Sequence, residues 1–242
     1  AQQECDIPSM IEIMHYDSQA HLKVEPYAWC WALAVFLDHH TATRQSFRQF
    51  AQDGNDQTQK FSSRFYRKHR DRWVALEQPW QGFAADMEYG LSPELTIPRL
   101  RGSRPLEDQM VVVIVANHTW QATGVRLTAG QTVRIQSASR YQVGNTPSPW
   151  WCEPQGITIE YYRHRPLGML LAALVDDSGA VKSDEQLPNK EQDISFLRPL
   201  AVGREIEWQA QRSGTLFLKV NESSAALDDN KGILKVTITN VH

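Results

Sequence analysis

The sequence predicts an α+β protein of two domains, an α-helical N-terminal domain followed by an antiparallel β-sandwich of jelly-roll type. Three observations carry this. Up to about residue 91, aromatic and apolar residues recur at helical spacing. From about residue 108 onward, β-branched residues alternate with polar ones between turn signals. Between them, Pro93, Pro98 and Pro105 and two arginine-rich turn clusters interrupt regular structure. The expected boundaries are residues 1–91 for the helical domain, 92–107 for a linker or surface strap, and 108–242 for the sandwich.

Residues 8–14 read as a short helix with Pro8 in its first turn and Asp6 as a cap. Residues 27–39 are the strongest helix. Tyr27, Trp31, Ala34 and Val35 form one face, and Trp29, Leu33 and Phe36 broaden it, so the helix is apolar nearly all round and expected to be buried. Adjacent histidines cannot bind one metal as i, i+4 histidines do, so His39 and His40 are expected to close this helix. Residues 43–52 place Phe47, Phe50 and Ala51 on one side and Arg44, Gln45 and Arg48 on the other, and Asp53-Gly54-Asn55-Asp56 ends them. A basic amphipathic helix follows through Phe61, Phe65 and Tyr66 to about Arg72. Residues 73–89 form the last helix, broken or restarted at Pro79 and stopped by Gly90.

About eight strands are expected beyond the strap. Val111-Val112-Val113-Ile114-Val115 is a continuous apolar run. Residues 123–127 and 133–137 flank the turn Ala129-Gly130-Gln131. Residues 156–161 and 205–210 alternate, and residues 170–175 are apolar throughout. Two more strands, 214–220 and 233–238, close the chain. Residues 176–193 form a polar loop. Short strands at this spacing make a sandwich or jelly roll.

With 242 residues, 41% hydrophobic and 22% charged, the chain has ordinary globular composition. A net charge of -3 supplies no basic field for nucleic acid. No apolar run reaches the ~18 residues of a membrane span. Ala1-Gln2-Gln3 would suit a start left by cleavage, so an extracytoplasmic location, periplasmic or secreted, is expected. Cys5, Cys30 and Cys152 form no metal-binding spacing. They read as buried thiols, with a Cys5–Cys30 disulfide as an alternative that sequence does not decide.

The densest chemistry lies between the last two strands. That loop carries the carboxylates Glu222, Asp228 and Asp229 and the amides Asn221 and Asn230. Calcium takes six to eight hard oxygen ligands in irregular geometry, so such a loop between paired strands suits it. The alternative is a solvated acidic hairpin loop. The loop points to a binding module more than to an enzyme.

Residues 124–135 (Gly-Val-Arg-Leu-x-Ala-Gly-Gln-x-Val-Arg-Ile), then Pro154-Gln155-Gly156, Gly168-Met169-Leu170-Leu171, Asn221-Glu222, Asp229-Asn230 and Gly232 carry a family resemblance. Residues 108–242 resemble the galactose-binding-like β-sandwich of the calcium-dependent bacterial galactose lectins (lectin A type). The resemblance implies a calcium site with Glu222 as the acid, Ala226 as the loop carbonyl, Asp229 and Asn230 at the paired amide positions, and Val143 as an early carbonyl. It implies a carbohydrate or glycoconjugate partner whose hydroxyls complete the coordination. Glu222 is one methylene longer than the family's aspartate, and Asp229 replaces an amide. The sugar-contacting loop after Pro154-Gln155-Gly156 is shorter here, which puts galactose specificity in question. Trp151, Tyr161, Tyr162 and His164 are the candidate sugar contacts, with Trp150 nearby; the aromatic ones read more readily as core or rim packing.

The helical half more weakly resembles the helical C-terminal part of peptidase-MA-like (gluzincin) domains, through residues 27–37, Phe47-Arg48-Gln49-Phe50 and residues 73–83. It has no His-Glu-x-x-His, so no zinc chemistry is expected. No nucleophile elbow or phosphate-binding glycine loop occurs. Asp176-Asp177 and Asp184-Glu185 read as a solvated loop, although paired carboxylates also serve glycosidases. The cluster 67–72 reads as a solvated basic helix face. A non-catalytic, calcium-dependent carbohydrate-binding module joined to a helical domain is the expected function. The alternative is an accessory C-terminal part of a metallopeptidase-like protein, with the sandwich as a structural or protein-contact domain.

Overall fold

The computed structural model describes residues 7–16, 22–52, 61–176 and 194–241. Its architecture is α+β, with a helical N-terminal region followed by sheets. The helices are α1 (Met10–Met14), α2 (Val24–His39), α3 (Arg44–Gln52), α4 (Phe61–His69), α5 (Trp73–Ala85) and α6 (Pro93–Thr96). The longer strands are β2 (Gln109–Val115), β3 (Gln121–Leu127), β4 (Thr132–Ser137), β7 (Ile157–Tyr162), β9 (Leu170–Val175), β11 (Glu205–Gln209), β12 (Gly214–Val220) and β13 (Ile233–Val241). Short pieces complete them: β1 (Arg104–Pro105), β5 (Tyr141–Gln142), β6 (Trp151–Cys152), β8 (Arg165–Leu167) and β10 (Leu200–Ala201).

Two sheets form the sandwich. One runs β1-β3-β12-β9-β10 and the other β11-β4-β13-β2. Pairing within them is antiparallel except for β1, which lies parallel to β3 with Arg104 opposite Val125. The inner faces meet in one core, with Leu216, Leu218, Val220, Leu170, Ala172 and Leu174 on one side and Val112, Ile114, Ile135, Leu234, Val236 and Ile238 on the other.

The period-two rule explains why β12 is buried along its whole length. Leu216, Leu218 and Val220 face the sandwich core, so Phe217 and Lys219 must point out of the opposite face. There Phe217 joins Trp120, Leu171, Ala173, Phe196 and Ala85 of α5 in a second apolar cluster. Phe196 is the hinge of this seam, with its ring 5.1 Å from Trp120 and 5.2 Å from Phe217. The apolar run of β9 has the same cause, since both of its faces are covered. The helices have a third core, built on Met10, Phe36, Phe65, Trp80 and Phe83.

Several expectations change. Ser9 caps α1 through a capping box with Glu12; Pro8 lies before the helix, and Asp6 falls outside the described residues. Helix α5 runs through Pro79 without a break and ends at Ala85, and beyond it Asp86 meets Lys219 of β12 while Glu88 meets Ser223 in the loop that follows β12. Gly90 is left-handed (φ +85°), as a stop would be, but lies five residues further on. The expected linker is partly regular, holding α6, a parallel bridge from Arg99 to Gln121, and β1. The run 111–115 forms a strand as expected; it lies at a sheet edge, with Val111 and Val113 exposed and Val112 and Ile114 buried. Cys30 and Cys152 are free thiols, whereas Cys5 is outside the described residues. So are the loop 177–193, with the pair Asp184-Glu185, and the segment 53–60.

Candidate functional site

The loop 221–232 crosses from β12 in one sheet to β13 in the other, at one end of the sandwich. Its anchor is Asn221, one of the two amides counted as possible ligands. Asn221 is fully buried, and its Nδ2 lies 3.0–3.1 Å from the carbonyls of Tyr162, Arg165 and Pro166. Its amide N–H groups therefore hold the β7–β8 hairpin against the start of the loop. Leu227, buried within a 3₁₀ turn at Leu227–Asp229, pins the middle of the loop. At the far end, the Lys231 N–H and carbonyl pair with the backbone of Gln142 at 3.1 and 2.9 Å. Gln142 Nε2 also donates to the Asp229 carbonyl at 3.0 Å. This sets Val143, buried and next in chain, close to the loop.

Two oxygens of this loop are buried without a hydrogen-bond partner: Oε2 of Glu222 and Oδ1 of Asn230. Glu222 is 7% exposed, and its Oε1 accepts from the Ser223 N–H at 3.0 Å. Burial pushes its carboxyl up to about 8, the Ser223 N–H opposes this, and the charges of Asp229, Glu160 and Glu88 add to the rise. Asn230 is 2% exposed and donates Nδ2 to the Ala116 carbonyl at 3.2 Å. That bond fixes the amide's orientation and leaves Oδ1 free to accept. A buried acceptor without a partner costs ~1–3 kcal/mol, and more if charged. Both oxygens are thus free to accept from a donor or to ligate a cation. Asp229 is half-buried, while Asp228, Ala226 and Lys231 are exposed.

Among the described residues, no three His, Cys, Asp or Glu side chains cluster as a metal site. A cation at this loop would therefore draw on a mixed set: the Glu222 and Asp229 carboxylates, the Asn230 amide oxygen, and the Ala226 and Val143 carbonyls. That donor chemistry suits calcium and not zinc.

The candidate sugar contacts divide. Tyr161 and Trp151 are exposed, on β7 and β6 respectively, and Arg140 sits 5.5 Å from the Trp151 ring centroid. His164 is exposed, at the second position of the tight β7–β8 turn, where it and Arg163 both adopt positive φ (63° and 48°). Such a pair is what a two-residue hairpin of type I′ requires. Tyr162 is different. It is half-buried against the sandwich core, and its hydroxyl donates to Glu88 at 2.9 Å. Its polar end is therefore occupied within the protein.

Sequence reasoning missed the seam behind the loop. Lys219 is fully buried on the outer face of β12, with Nζ 2.6 and 2.7 Å from the two oxygens of Asp86 and 4.8 Å from the Trp120 ring centroid. Burial lowers the Lys219 pKa, and Asp86 opposes that. Arg163 donates to the Ala85 carbonyl at 2.8 Å and lies 3.4 Å from Asp86. Ser224 Oγ donates to the Asp86 carbonyl at 2.7 Å. Glu88 takes both the Ser223 hydroxyl and the Ala225 N–H. The end of α5 thus holds the first half of the loop, including the residue after Glu222. One signal was available: Lys219 is the lone charge of its strand, set between Leu218 and Val220 in an apolar run.

No family model and no curated protein matches the chain. Among solved structures, the EclA N-terminal domain, a PllA-like lectin, is similar at 21% identity and TM-score 0.39, over 56% of this chain and 98% of that one. PliG of Aeromonas hydrophila, a periplasmic inhibitor of g-type lysozyme, is similar at 8% identity and TM-score 0.28, over 60% of this chain and 99% of that one. Likeness at this level leaves function to the chain's own residues.

Proposed function

We propose that this chain is a non-catalytic carbohydrate-binding protein that holds calcium in the loop 221–232. The observation that carries the reading is the pair of buried oxygens without partners, Glu222 Oε2 and Asn230 Oδ1, on one short loop. Protein interiors rarely leave such acceptors unmatched, and a hard divalent cation matches both. Asp229 adds a second carboxylate, and its charge already reaches Glu222. Ala226 and Val143 would contribute carbonyls. Bound calcium would supply open coordination positions for vicinal sugar hydroxyls. The exposed rings of Tyr161 and Trp151, with the His164 imidazole, would then meet the apolar face of a sugar.

Two features support a weak site of the extracytoplasmic kind. Glu222 must give up a proton to bind the ion, which lowers the apparent affinity at neutral pH. A ligand set with only two carboxylates also suits the high calcium levels outside the cytoplasm. Among the described residues no helix is long and apolar enough to cross a membrane.

Calorimetric titration with calcium chloride, after dialysis against EDTA, tests the metal. Titration of the calcium-loaded protein with methyl galactosides and a panel of neutral monosaccharides tests the sugar. A one-to-one calcium isotherm and a sugar response that EDTA abolishes are expected. Absence of calcium binding at millimolar concentration would overturn the reading.

A further inference from the structure

Helix α2 was expected to be buried all round, and it is not. Its outward stripe exposes Val24 (90%), Tyr27 (58%) and Trp31 (53%), and Leu22 (73%) and Tyr89 (102%) extend the same patch. Two shallow grooves of about 570 and 550 Å3 adjoin one another along this stripe, sharing Ala28 and Trp31. Together the five side chains expose on the order of 500–600 Å2, at the upper end of the ~300–600 Å2 of the largest patch on a typical monomer. With the polar residues at its rim, the face is of the size that one partner contributes to a standard interface, ~800 Å2.

We propose that this face is the dimer interface of the protein, with α2 packed antiparallel against α2 of a second copy across a two-fold axis near Ala28 and Trp31. Three features favour a second copy as the occupant. The surface is self-complementary: Trp31 is a ridge with a groove on each side, and a partner's ridge needs such a groove. Ala28 at the centre permits close helix approach. Charge also matches in the antiparallel sense. Lys23 stands at the N-terminal end of the stripe, and Glu94, 3.6 Å from His39, at its C-terminal end. Antiparallel pairing sets each Lys23 toward the partner's Glu94 and opposes the two helix dipoles favourably. Aromatic anchors at the centre with charges at the rim are the usual anatomy of a protein interface.

Sedimentation velocity of the full chain from about 1 to 100 µM tests this. A reversible monomer–dimer equilibrium is expected, with the dimer at twice the monomer mass of 27.7 kDa. Val24→Lys, at a position too exposed to affect folding, should weaken association at least tenfold with an unchanged circular dichroism spectrum. Trp31→Asp should abolish it. Ile159→Lys, on the exposed face of β7, should leave it unaltered. A monomer at every concentration overturns the proposal, including one that instead binds phosphatidylcholine vesicles through this stripe. So does a dimer that survives both Val24→Lys and Trp31→Asp.

Discussion

Replacing Glu222 by Gln separates a calcium ligand from a merely buried acid. In the calcium-free protein, the Glu222 carboxyl titrates at about 8 instead of 4.5. The sign follows from linkage. The unfolded chain loses this proton near pH 4.5, while the folded chain holds it to about 8, so folding is penalised increasingly as pH rises between those values. The penalty grows by ~1.4 kcal/mol per pH unit, reaching about 4 kcal/mol at pH 8 and under 1 kcal/mol at pH 5. Glutamine keeps the shape and carries no charge. In EDTA, Glu222→Gln should therefore gain roughly 3–4 kcal/mol at pH 8 and at most ~1 kcal/mol at pH 5. Urea unfolding at both pH values reads this directly. Saturating calcium should narrow the gap at pH 8 by stabilising the wild type alone. The wild type gains about 2.7 kcal/mol when calcium is at a hundred times its dissociation constant, and the variant gains nothing. Equal pH slopes in EDTA would show that the carboxyl is not held as described. A calcium-dependent gain retained by Glu222→Gln would remove Glu222 from the ligand set.

Asn230→Ala should lose the bond to Ala116, at a cost of about 1–2 kcal/mol in EDTA, and should also lose calcium-dependent stabilisation; a thermal shift retained with calcium would count against the site. Asp86→Ala strands the buried Lys219 ammonium and should cost ~3–5 kcal/mol by urea unfolding, whereas adding Lys219→Met should recover most of it; a double variant as unstable as the single one contradicts the pairing. Gly82→Ala should destabilise by ~1–2 kcal/mol even though alanine is the better helix former, because a Cβ there would lie 2.6 Å from Pro98 Cγ and 3.2 Å from the Phe196 ring; a stabilised variant would mean that the strap is not seated on α5.

Much of the fold was legible because it rests on local periodicity. The alternation of 214–220 and 205–210 marked strands before any contact was known, and the aromatic spacing of 73–89 marked a helix. Pro79 misled because its effect depends on surroundings: a proline bars the helix only where the missing bond and ring clash are not offset, and Pro79 is buried against neighbours that hold the helix on course. The run Val111 to Val115 marked a strand, but apolar character does not say which of its faces is covered, and Val111 and Val113 lie on the face turned to water. The candidate site was legible as a loop rich in oxygens. Which oxygens matter was not. Asn221 and Asn230 are the same residue type nine positions apart, yet one clasps three carbonyls of the β7–β8 hairpin and the other keeps an acceptor without a partner.

By itself, then, the order of residues determined the two kinds of secondary structure, their succession along the chain, and the loop where hard ligands are concentrated. These follow from spacing between neighbours in sequence, which the chain carries unfolded as well as folded. Only the tertiary structure decided that Lys219 meets Asp86 133 residues away, that Glu88 grips the loop behind Glu222, and that α2 turns Trp31 outward. Those outcomes depend on which surfaces come together from distant parts of the chain, and burial is a property of the assembled surfaces and not of the residue.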